Sequence, residues 1–305
     1  MALITNGVLD LIGNTPLTRI AKLESPGSAQ VLVKQENLNP SGSVKDRVAL
    51  SMIREAEGQG ILKPGGIIVE PSAGNMGVSL SMIAAVKNYS LHVMMPESVP
   101  TDRQRLVTRY GAMIHLTPSD MGMKGAIDAA QRMIEANPEY VRLDQFTDIA
   151  NVNAHRKATG PEILATVSGV VDGFVSAVGT DGTLIGVSEV LKSANPLTLY
   201  VAVEPATSPI LSGGRAGDHG IIGIGADFIP PLFDWDLVDE IVTVSTQQAI
   251  DTSSRLAREE GLLVGFSSGA NVYIALKLAE RLGKNKTVVT VLPDTGERYS
   301  SLAAL

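Results

Sequence analysis

The sequence predicts an α/β protein built from two open, twisted, mainly parallel sheets with helices on both faces. Short apolar runs of strand length alternate with segments of helical periodicity along most of the chain. Several of the junctions from strand to helix are rich in glycine and serine. With 305 residues, of which 44% are hydrophobic, the chain is long enough for two domains. We therefore expect ligands to bind at the carboxyl ends of the strands, in a cleft between two such domains.

The elements follow in order along the chain. In the first half, the predicted strands are 31–34, 66–70, 91–95, 112–116 and 140–143, and the predicted helices are 48–59, 76–89, 101–110 and 124–136. In the second half, the predicted strands are 173–178, 197–203, 240–244 and 287–292, and the predicted helices are 184–192, 247–259 and 271–282. The stretch 208–234 is rich in Gly and Pro and is predicted to be a long functional loop.

Composition excludes several classes of function. The formal charge of −7, from 25 basic and 32 acidic residues, argues against nucleic-acid binding. The sequence contains no apolar run near the ~20 residues that a membrane span needs. Residues 1–13 do not resemble a secretory signal, so a cytoplasmic location is expected. Cysteine is absent, and the histidines lack metal-ligand spacing, so no metal site is expected; they are His92, His115, His155 and His219.

Lys45 is the first candidate for chemistry. It follows a Pro/Gly/Ser turn at 40–43 and precedes an apolar-periodic segment, which places it in the first turn of a helix, where Ser43 can act as the cap. The positive end of the helix dipole favours the neutral form of an amine at that position. A neutral amine is the form that attacks a carbonyl and makes a Schiff base.

Three further loops each follow a strand and open a helix. The asparagine loop (Ser72–Gly77) follows Glu70 and Pro71, the phosphate loop (Gly179–Thr183) follows the predicted strand at 173–178, and the serine segment is Gly265–Gly269. Glycine-rich backbone at a helix N-terminus suits a phosphate monoester. Combined with a helix-start lysine, these loops supply an amine, a phosphate cradle and donors for a ring. That set fits pyridoxal 5'-phosphate.

The sequence resembles the cysteine synthase (O-acetylserine sulfhydrylase) and cystathionine β-synthase family of pyridoxal-phosphate enzymes. The matching segments are 12–17, 34–40, 143–146, 159–163, 208–214 and 293–299, together with the lysine turn and the three loops. The resemblance runs through nearly the whole chain. It implies fold type II of the pyridoxal-phosphate enzymes, the tryptophan synthase β-like fold.

The resemblance also implies roles for the cofactor-binding residues. Lys45 would form the Schiff base and later move the substrate's α-proton. Asn75 would hydrogen-bond the ring oxygen, and Ser267 would face the pyridine nitrogen. The phosphate would lie on the phosphate loop, held by Gly179, Thr180, Gly182 and Thr183. Asp181 belongs to this loop, but a carboxylate beside a phosphate is unfavourable, so we expect its side chain to point away as an ordinary helix-start acid.

The substrate carboxylate would be bound by Ser72, Gly74 and Gln145. At Ala73 and Met76 the sequence departs from the family, whose asparagine loop usually reads Thr-Ser-Gly-Asn-Thr-Gly and has hydroxyls at both positions. A lost hydrogen bond to a charged group costs about 1.5–3 kcal/mol unless another donor replaces it. Either backbone donors suffice in this chain, or its preferred substrate differs.

Two other departures concern the reaction and its partners. Asp227 stands where acetylserine-using enzymes typically have Gly and the cystathionine synthase branch has Asp, so it is a candidate catalytic proton carrier. The segment 218–220 lacks a lysine-containing pattern, which weakens the inference of serine acetyltransferase as a partner.

Arg103 and Arg105, at the start of a helix, are expected to be solvated.

We expect a larger cofactor-binding domain of residues 1–42 and 150–305 and a smaller mobile domain of residues 43–149 that carries the asparagine loop. The expected reaction is β-replacement, in which O-acetyl-L-serine and sulfide give L-cysteine and acetate, by a homodimer. The alternatives are an L-cysteine or L-serine β-lyase, a sulfide-releasing hydrolase and a cystathionine-type condensation. A non-catalytic α/β ligand-binding protein is an alternative of another class, and it should not purify yellow.

Overall fold

The computed structural model describes residues 4–299, which form two compact units. The smaller unit comprises residues 4–12 and 45–151, and the larger comprises residues 13–44 and 152–299. Residues 4–12 thus group with the smaller unit, whereas the sequence analysis assigned them to the larger domain. The assignment of cofactor binding to the larger domain and mobility to the smaller one stays a prediction.

Strands and helices alternate as the sequence predicts, and the α/β class is confirmed. In chain order the elements are β1 (Leu17–Arg19), β2 (Gln30–Lys34), α1 (Lys45–Gly58), β3 (Ile67–Pro71), α2 (Asn75–Lys87), β4 (Ser90–Pro96), α3 (Thr101–Arg109), β5 (Met113–Thr117), α4 (Gly122–Ala136), α5 (Ile149–Ala154), α6 (Gly160–Thr166), β6 (Gly173–Ala177), α7 (Gly182–Ala194), β7 (Leu199–Pro205), β8 (Glu240–Val244), α8 (Thr246–Arg255), α9 (Phe266–Leu282) and β9 (Thr287–Val291).

The larger unit is organised around a six-stranded sheet. The strand order is β1-β2-β9-β6-β7-β8, and every pairing is parallel except that of β1 with β2. All residues of β9 are buried, which is typical of a central parallel strand covered on both faces. α8 begins with a capping box, in which the Ser245 hydroxyl and the Gln248 side chain each satisfy a backbone N–H of the first turn. The carboxyl ends of β6 and β9 lead towards the phosphate loop and residues 293–299.

The smaller unit contains a three-stranded parallel sheet in the order β3-β4-β5. α4 covers one face, where Ala126 and Ala130 pack with Val69 and Met94 in a buried cluster. The prediction of a strand at 140–143 is wrong, because the only pairing there is a single bridge between Ile68 and Val141. The chain leaves the sheet directly afterwards, since Asp144 adopts a left-handed conformation with φ of 54°.

The helical segment that runs from α5 to α6 is not predicted by the sequence pattern. A π-helical turn at His155–Thr159 joins the two helices, and Pro161 lies at the start of α6. Proline is tolerated in a first turn because its missing N–H needs no partner there, although Gly160-Pro161 reads as a helix breaker in the sequence. No helix within residues 4–299 is long and apolar enough to cross a membrane.

Candidate active site

Lys45 is the first residue of α1, as the turn-to-helix pattern predicts. The side chain is only partly exposed, and burial lowers the pKa of its ammonium group to about 8. An ordinary lysine has a pKa of 10.5, so far more of the neutral amine is present at neutral pH in Lys45 than in a surface lysine. Lys45 is therefore a strong nucleophile candidate rather than a solvated surface residue.

The asparagine loop is held in place by Ser72. Its Oγ accepts the N–H of Gly77 at 2.9 Å and that of Gly74 at 3.3 Å. The Ser72 N–H donates to the Met94 carbonyl at 3.0 Å, which fixes the loop against β4. Because these contacts use the serine oxygen only as an acceptor, the hydroxyl proton can be given to a ligand.

Asn75 and Met76 occupy the first turn of α2, where backbone N–H groups have no intrahelical acceptor. The Met76 side chain is 2% exposed, so its apolar atoms are buried in the fold. At position 76, where the family usually has a hydroxyl, this chain can therefore offer a ligand only its backbone.

Glu70 is a residue of this region that the sequence analysis missed. Its carboxylate is buried at the end of β3 and accepts the backbone N–H of Asp144 at 3.3 Å and that of Gln145. Burial raises the pKa of Glu70 to about 7, against the two backbone donors and the charge of Arg142, which favour the ionised form. A lone acid in the apolar strand Ile67–Pro71 was the available signal. Through these hydrogen bonds, Glu70 connects two segments. One is strand β3, which leads into the asparagine loop, and the other is the turn that carries Gln145.

The phosphate loop ends at the N-terminus of α7. The first helical bond runs from the Ile185 N–H to the Asp181 carbonyl at 3.1 Å, so the preceding N–H groups point out of the helix end. A Cβ built on Gly179 would lie 2.5 Å from the carbonyl oxygen of Gly223. Only glycine fits this close approach, and the resulting cradle of backbone donors suits an anion.

Asp181 differs from the expectation that it is an ordinary helix-start acid. It adopts a left-handed conformation with φ of 72° and makes no side-chain capping bond to α7. Its side chain is 3% exposed, and neither carboxylate oxygen has a hydrogen-bond partner among residues 4–299. Burial, followed by the charge of Asp234, raises the pKa of Asp181 well above its ordinary value. A raised pKa disfavours the ionised form of this acid, which reduces the repulsion between its carboxyl group and a phosphate.

Thr183 is positioned by a buried histidine that the sequence analysis did not assign to the site. His155 Nε2 lies 3.2 Å from Thr183 Oγ1, and His155 Nδ1 lies 2.9 Å from Thr159 Oγ1. This histidine lies in the π-helical turn, a feature that often marks functional sites. Gly186 makes the arrangement possible, because a Cβ there would lie 2.4 Å from the Val152 carbonyl and 2.7 Å from His155 Cβ.

Ser267 lies in the first turn of α9, which begins at Phe266 rather than at 271 as predicted. It is 3% exposed, and the adjacent Ser268 is fully buried. The Gly265 N–H donates to the Asp294 carbonyl at 3.1 Å, which ties the serine segment to the chain after β9. Ser267 thus presents a neutral hydroxyl at a helix N-terminus.

Asp227 is exposed in the loop that follows Gly223. The Gly225 N–H donates to the Val178 carbonyl at 2.9 Å, so this loop adjoins the start of the phosphate loop. The catalytic role of Asp227 stays a prediction. By unit, Lys45 and the asparagine loop belong to the smaller unit, and the phosphate loop, Asp227 and Ser267 belong to the larger.

Comparisons with known proteins identify the family to which this chain belongs. The family model described as "Pyridoxal-phosphate dependent enzyme" matches residues 8–294. The chain is 46% identical to a cysteine synthase of Staphylococcus aureus over 97% of this chain and 96% of that protein. Among solved structures, it is 41% identical to an O-ureido-L-serine synthase, with a TM-score of 0.95 and coverage of 98% of this chain and 94% of that one. It is 40% identical to a cysteine synthase from Entamoeba histolytica, with a TM-score of 0.95 and coverage of 99% and 92%. The chain is therefore an enzyme of the pyridoxal-phosphate dependent family, with the fold type II architecture that its resemblance implied.

Proposed function

We propose that this chain is a cysteine synthase that converts O-acetyl-L-serine and sulfide to L-cysteine and acetate. The observation that carries the proposal is its likeness to a cysteine synthase over 97% of the chain, with the nucleophile candidate Lys45 at the start of α1. A β-replacement needs an amine, an anion cradle and a carboxylate-binding loop. In this proposal Lys45 supplies the amine, the phosphate loop the cradle and the asparagine loop the carboxylate site.

The residues present fit pyridoxal phosphate. Gly179 lies where a Cβ would collide with the Gly223 carbonyl, so the backbone N–H groups of the phosphate loop are open to a phosphate. Burial raises the pKa of Asp181, which weakens the opposition of its carboxyl group to that charge. When bound, the pyridoxal ring supplies an electron sink for bond breaking next to the substrate's α-carbon.

The remaining chemistry belongs to the side chains of this protein. Lys45 would hold the cofactor through its amine and move the α-proton. Asn75 would donate to the ring oxygen, and the neutral Ser267 hydroxyl would serve the ring nitrogen without protonating it, which favours elimination over transamination. The backbone of the phosphate loop and the hydroxyls of Thr180 and Thr183 would hold the phosphate.

The substrate's carboxylate is the group that the asparagine loop and Gln145 recognise. Ser72, whose oxygen accepts the Gly74 N–H, donates its hydroxyl proton, and the backbone of Ala73 and Met76 adds N–H groups at a helix N-terminus. Glu70 orients the Gln145 turn through backbone hydrogen bonds. The acetyl group needs no acid to leave, because the acetate that departs is a stable anion.

The experiment combines colour, labelling and turnover. The purified protein should be yellow, should form cysteine from O-acetyl-L-serine and sulfide, and should carry a pyridoxyl group on Lys45 after borohydride reduction and peptide mapping. Lys45→Ala should lose the label and the activity, whereas Lys63→Ala, at an exposed lysine, should keep both. A colourless protein, or a label on another lysine, would contradict the assignment.

A second candidate function rests on Asp227. Hydroxide and hydrosulfide are poorer leaving groups than acetate, and a positioned proton carrier typically accelerates their departure by ~10²–10⁴-fold. Asp227 is exposed in the loop adjoining the phosphate loop, so its carboxylate can exchange protons with solvent. In this alternative the enzyme also eliminates water from L-serine or sulfide from L-cysteine. Asp227→Gly should then abolish sulfide or pyruvate release while sparing the acetylserine reaction; no release by the parent protein contradicts the role.

The proposal includes a homodimer in the cytoplasm, as the family resemblance implies. Light scattering coupled to gel filtration should give twice the chain mass of 32.1 kDa. A monomeric mass for fully active protein would remove the dimer from the proposal.

A further inference from the structure

α3 carries a buried arginine directly behind the asparagine loop. Arg103 is 8% exposed, and its Nη1 donates to the Ala73 carbonyl at 3.0 Å. The expectation that Arg103 is solvated is therefore wrong. Arg105, on the same helix, does behave as expected: its side chain is 74% exposed and pairs with Asp102 at 3.4 Å.

The position of Arg103 is unfavourable for helix stability. It lies in the first turn of α3, where the helix dipole disfavours a cation by about 0.3–1 kcal/mol. Burial of a guanidinium adds a desolvation cost that hydrogen bonding must offset. A cation retained under both penalties indicates a task beyond supporting α3.

The contact with Ala73 acts on the neighbouring donor. A trans peptide is planar, so the Ala73 carbonyl and the Gly74 N–H of the same peptide unit point in opposite directions. With the carbonyl fixed by Arg103, the N–H points to the other side, where it reaches Ser72 Oγ at 3.3 Å. A cation on the oxygen polarises the peptide and strengthens the N–H as a donor.

The loop that Arg103 supports lacks the two hydroxyls at Ala73 and Met76 that the family resemblance leads one to expect. We propose that Arg103 is a positioning residue for the substrate's carboxylate, acting through the Ala73–Gly74 peptide. It holds the Gly74 N–H on Ser72 Oγ, which leaves the Ser72 hydroxyl proton for the carboxylate, and it supplies positive charge behind a loop that is poor in side-chain donors. The inference rests on the proposed function, because the carboxylate belongs to an amino-acid substrate.

The test compares Arg103→Met and Arg103→Lys with Arg105→Met in the cofactor-loaded enzyme. Arg103→Met should raise the KM for O-acetyl-L-serine about tenfold or more, with kcat changed less than about twofold, because the loss falls on carboxylate binding. Arg103→Lys keeps the charge and one donor, so its KM should lie between those of Arg103→Met and the parent. Arg105→Met should have the KM and kcat of the parent. In hydrogen exchange, the Gly74 amide should be less protected in Arg103→Met than in Arg105→Met.

Several results would overturn the inference. One is a KM for Arg103→Met no higher than that of Arg105→Met; another is an equal fall in kcat and cofactor content with KM unchanged, which indicates only a structural role. If Arg103→Met does not fold, a parental KM in Arg103→Lys overturns it. If the parent does not turn over O-acetyl-L-serine, the proposed function fails, and spectroscopic titration with L-serine and L-cysteine decides the role of Arg103 by the same comparison.

Discussion

Glu70 links a strand to a turn through a buried carboxylate that titrates near neutral pH. It accepts the N–H groups of Asp144 and Gln145, and burial raises its pKa to about 7. Because the folded protein binds this proton more tightly than the unfolded chain does, the contribution of Glu70 to stability is greatest at low pH. It is lost as the pH rises from ~4.3 towards the folded value.

Glu70→Gln removes this titration and keeps one acceptor for the backbone. We expect the free energy of unfolding of Glu70→Gln, relative to the parent, to rise between pH 5 and pH 8 by roughly 2–3 kcal/mol. Denaturant unfolding of the cofactor-free proteins at both pH values measures the difference. Glu139→Gln, at an exposed glutamate, is the control and should show no such change. An equal difference between Glu70→Gln and the parent at both pH values would contradict the prediction.

Asp181 is a second buried acid of the candidate site, with a raised pKa and no hydrogen-bond partner for its carboxylate oxygens within residues 4–299. Its ionised form is disfavoured in the folded state, so stability is lost as the pH rises above ~3.9, the ordinary aspartate value. Asp181→Asn keeps the shape and tolerates the left-handed backbone. It should raise the melting temperature of the cofactor-free protein at pH 7.5 and raise it less near pH 4. A larger gain at pH 4 than at pH 7.5 would overturn this account.

At the scale of elements, each of the main candidate site residues lies at the N-terminus of a helix. Lys45, Asn75, Gly182 and Ser267 all lie in first turns, of α1, α2, α7 and α9. Free N–H groups and the helix dipole make these positions suitable for anions and for tuned side chains. Local sequence could predict them because turn-forming residues precede each helix. A strand ends shortly before α2 and α7, whereas α9 follows a π-helical turn at Leu256–Glu260 and not the strand that the sequence predicts before the serine segment.

Gly179 tests the phosphate loop as an element. Gly179→Ala places a Cβ 2.5 Å from the backbone oxygen of Gly223, so the loop must shift. We expect the Kd of the apoenzyme for pyridoxal phosphate, from fluorescence titration, to rise at least about tenfold. Gly58→Ala, where a Cβ meets nothing within 4 Å, should bind as the parent does. Unchanged binding by Gly179→Ala would mean that the loop does not hold the phosphate.

Element boundaries show where periodicity fails. Most strands and helices lie within a few residues of their predicted bounds, because apolar periodicity reports the buried face directly. The helical segment from α5 to α6 was missed because Gly160-Pro161 suggests a break, yet the π-helical turn accommodates it. The predicted strand at 140–143 reduces to one bridge, because pairing depends on a partner that local sequence does not reveal.

At the scale of the whole molecule, the cofactor should act as a stabilising ligand. A ligand that binds only the folded state adds about 2.7 kcal/mol at a hundredfold excess over its Kd. Removing pyridoxal phosphate should therefore lower the melting temperature, and adding it back should restore the parental value. Lys45→Ala keeps the phosphate loop but loses the amine. Added cofactor should therefore raise its melting temperature by less, and the rise should depend more strongly on the cofactor concentration. A yellow parent whose melting temperature ignores cofactor removal would contradict the prediction.

The sequence by itself determined the fold class, the family and the positions of the chemical groups. Lys45, Asn75, the phosphate loop and Ser267 are set by turn residues next to apolar runs, which are local properties of the chain. The tertiary structure alone decided burial and its consequences. The lowered pKa of Lys45, the raised pKa of Asp181, the acceptor role of Glu70 and the buried Arg103 depend on atoms distant in sequence. Desolvation and hydrogen bonding are fixed by those neighbours, so an acid or arginine that reads as a surface residue becomes part of the site only once the chain has folded around it.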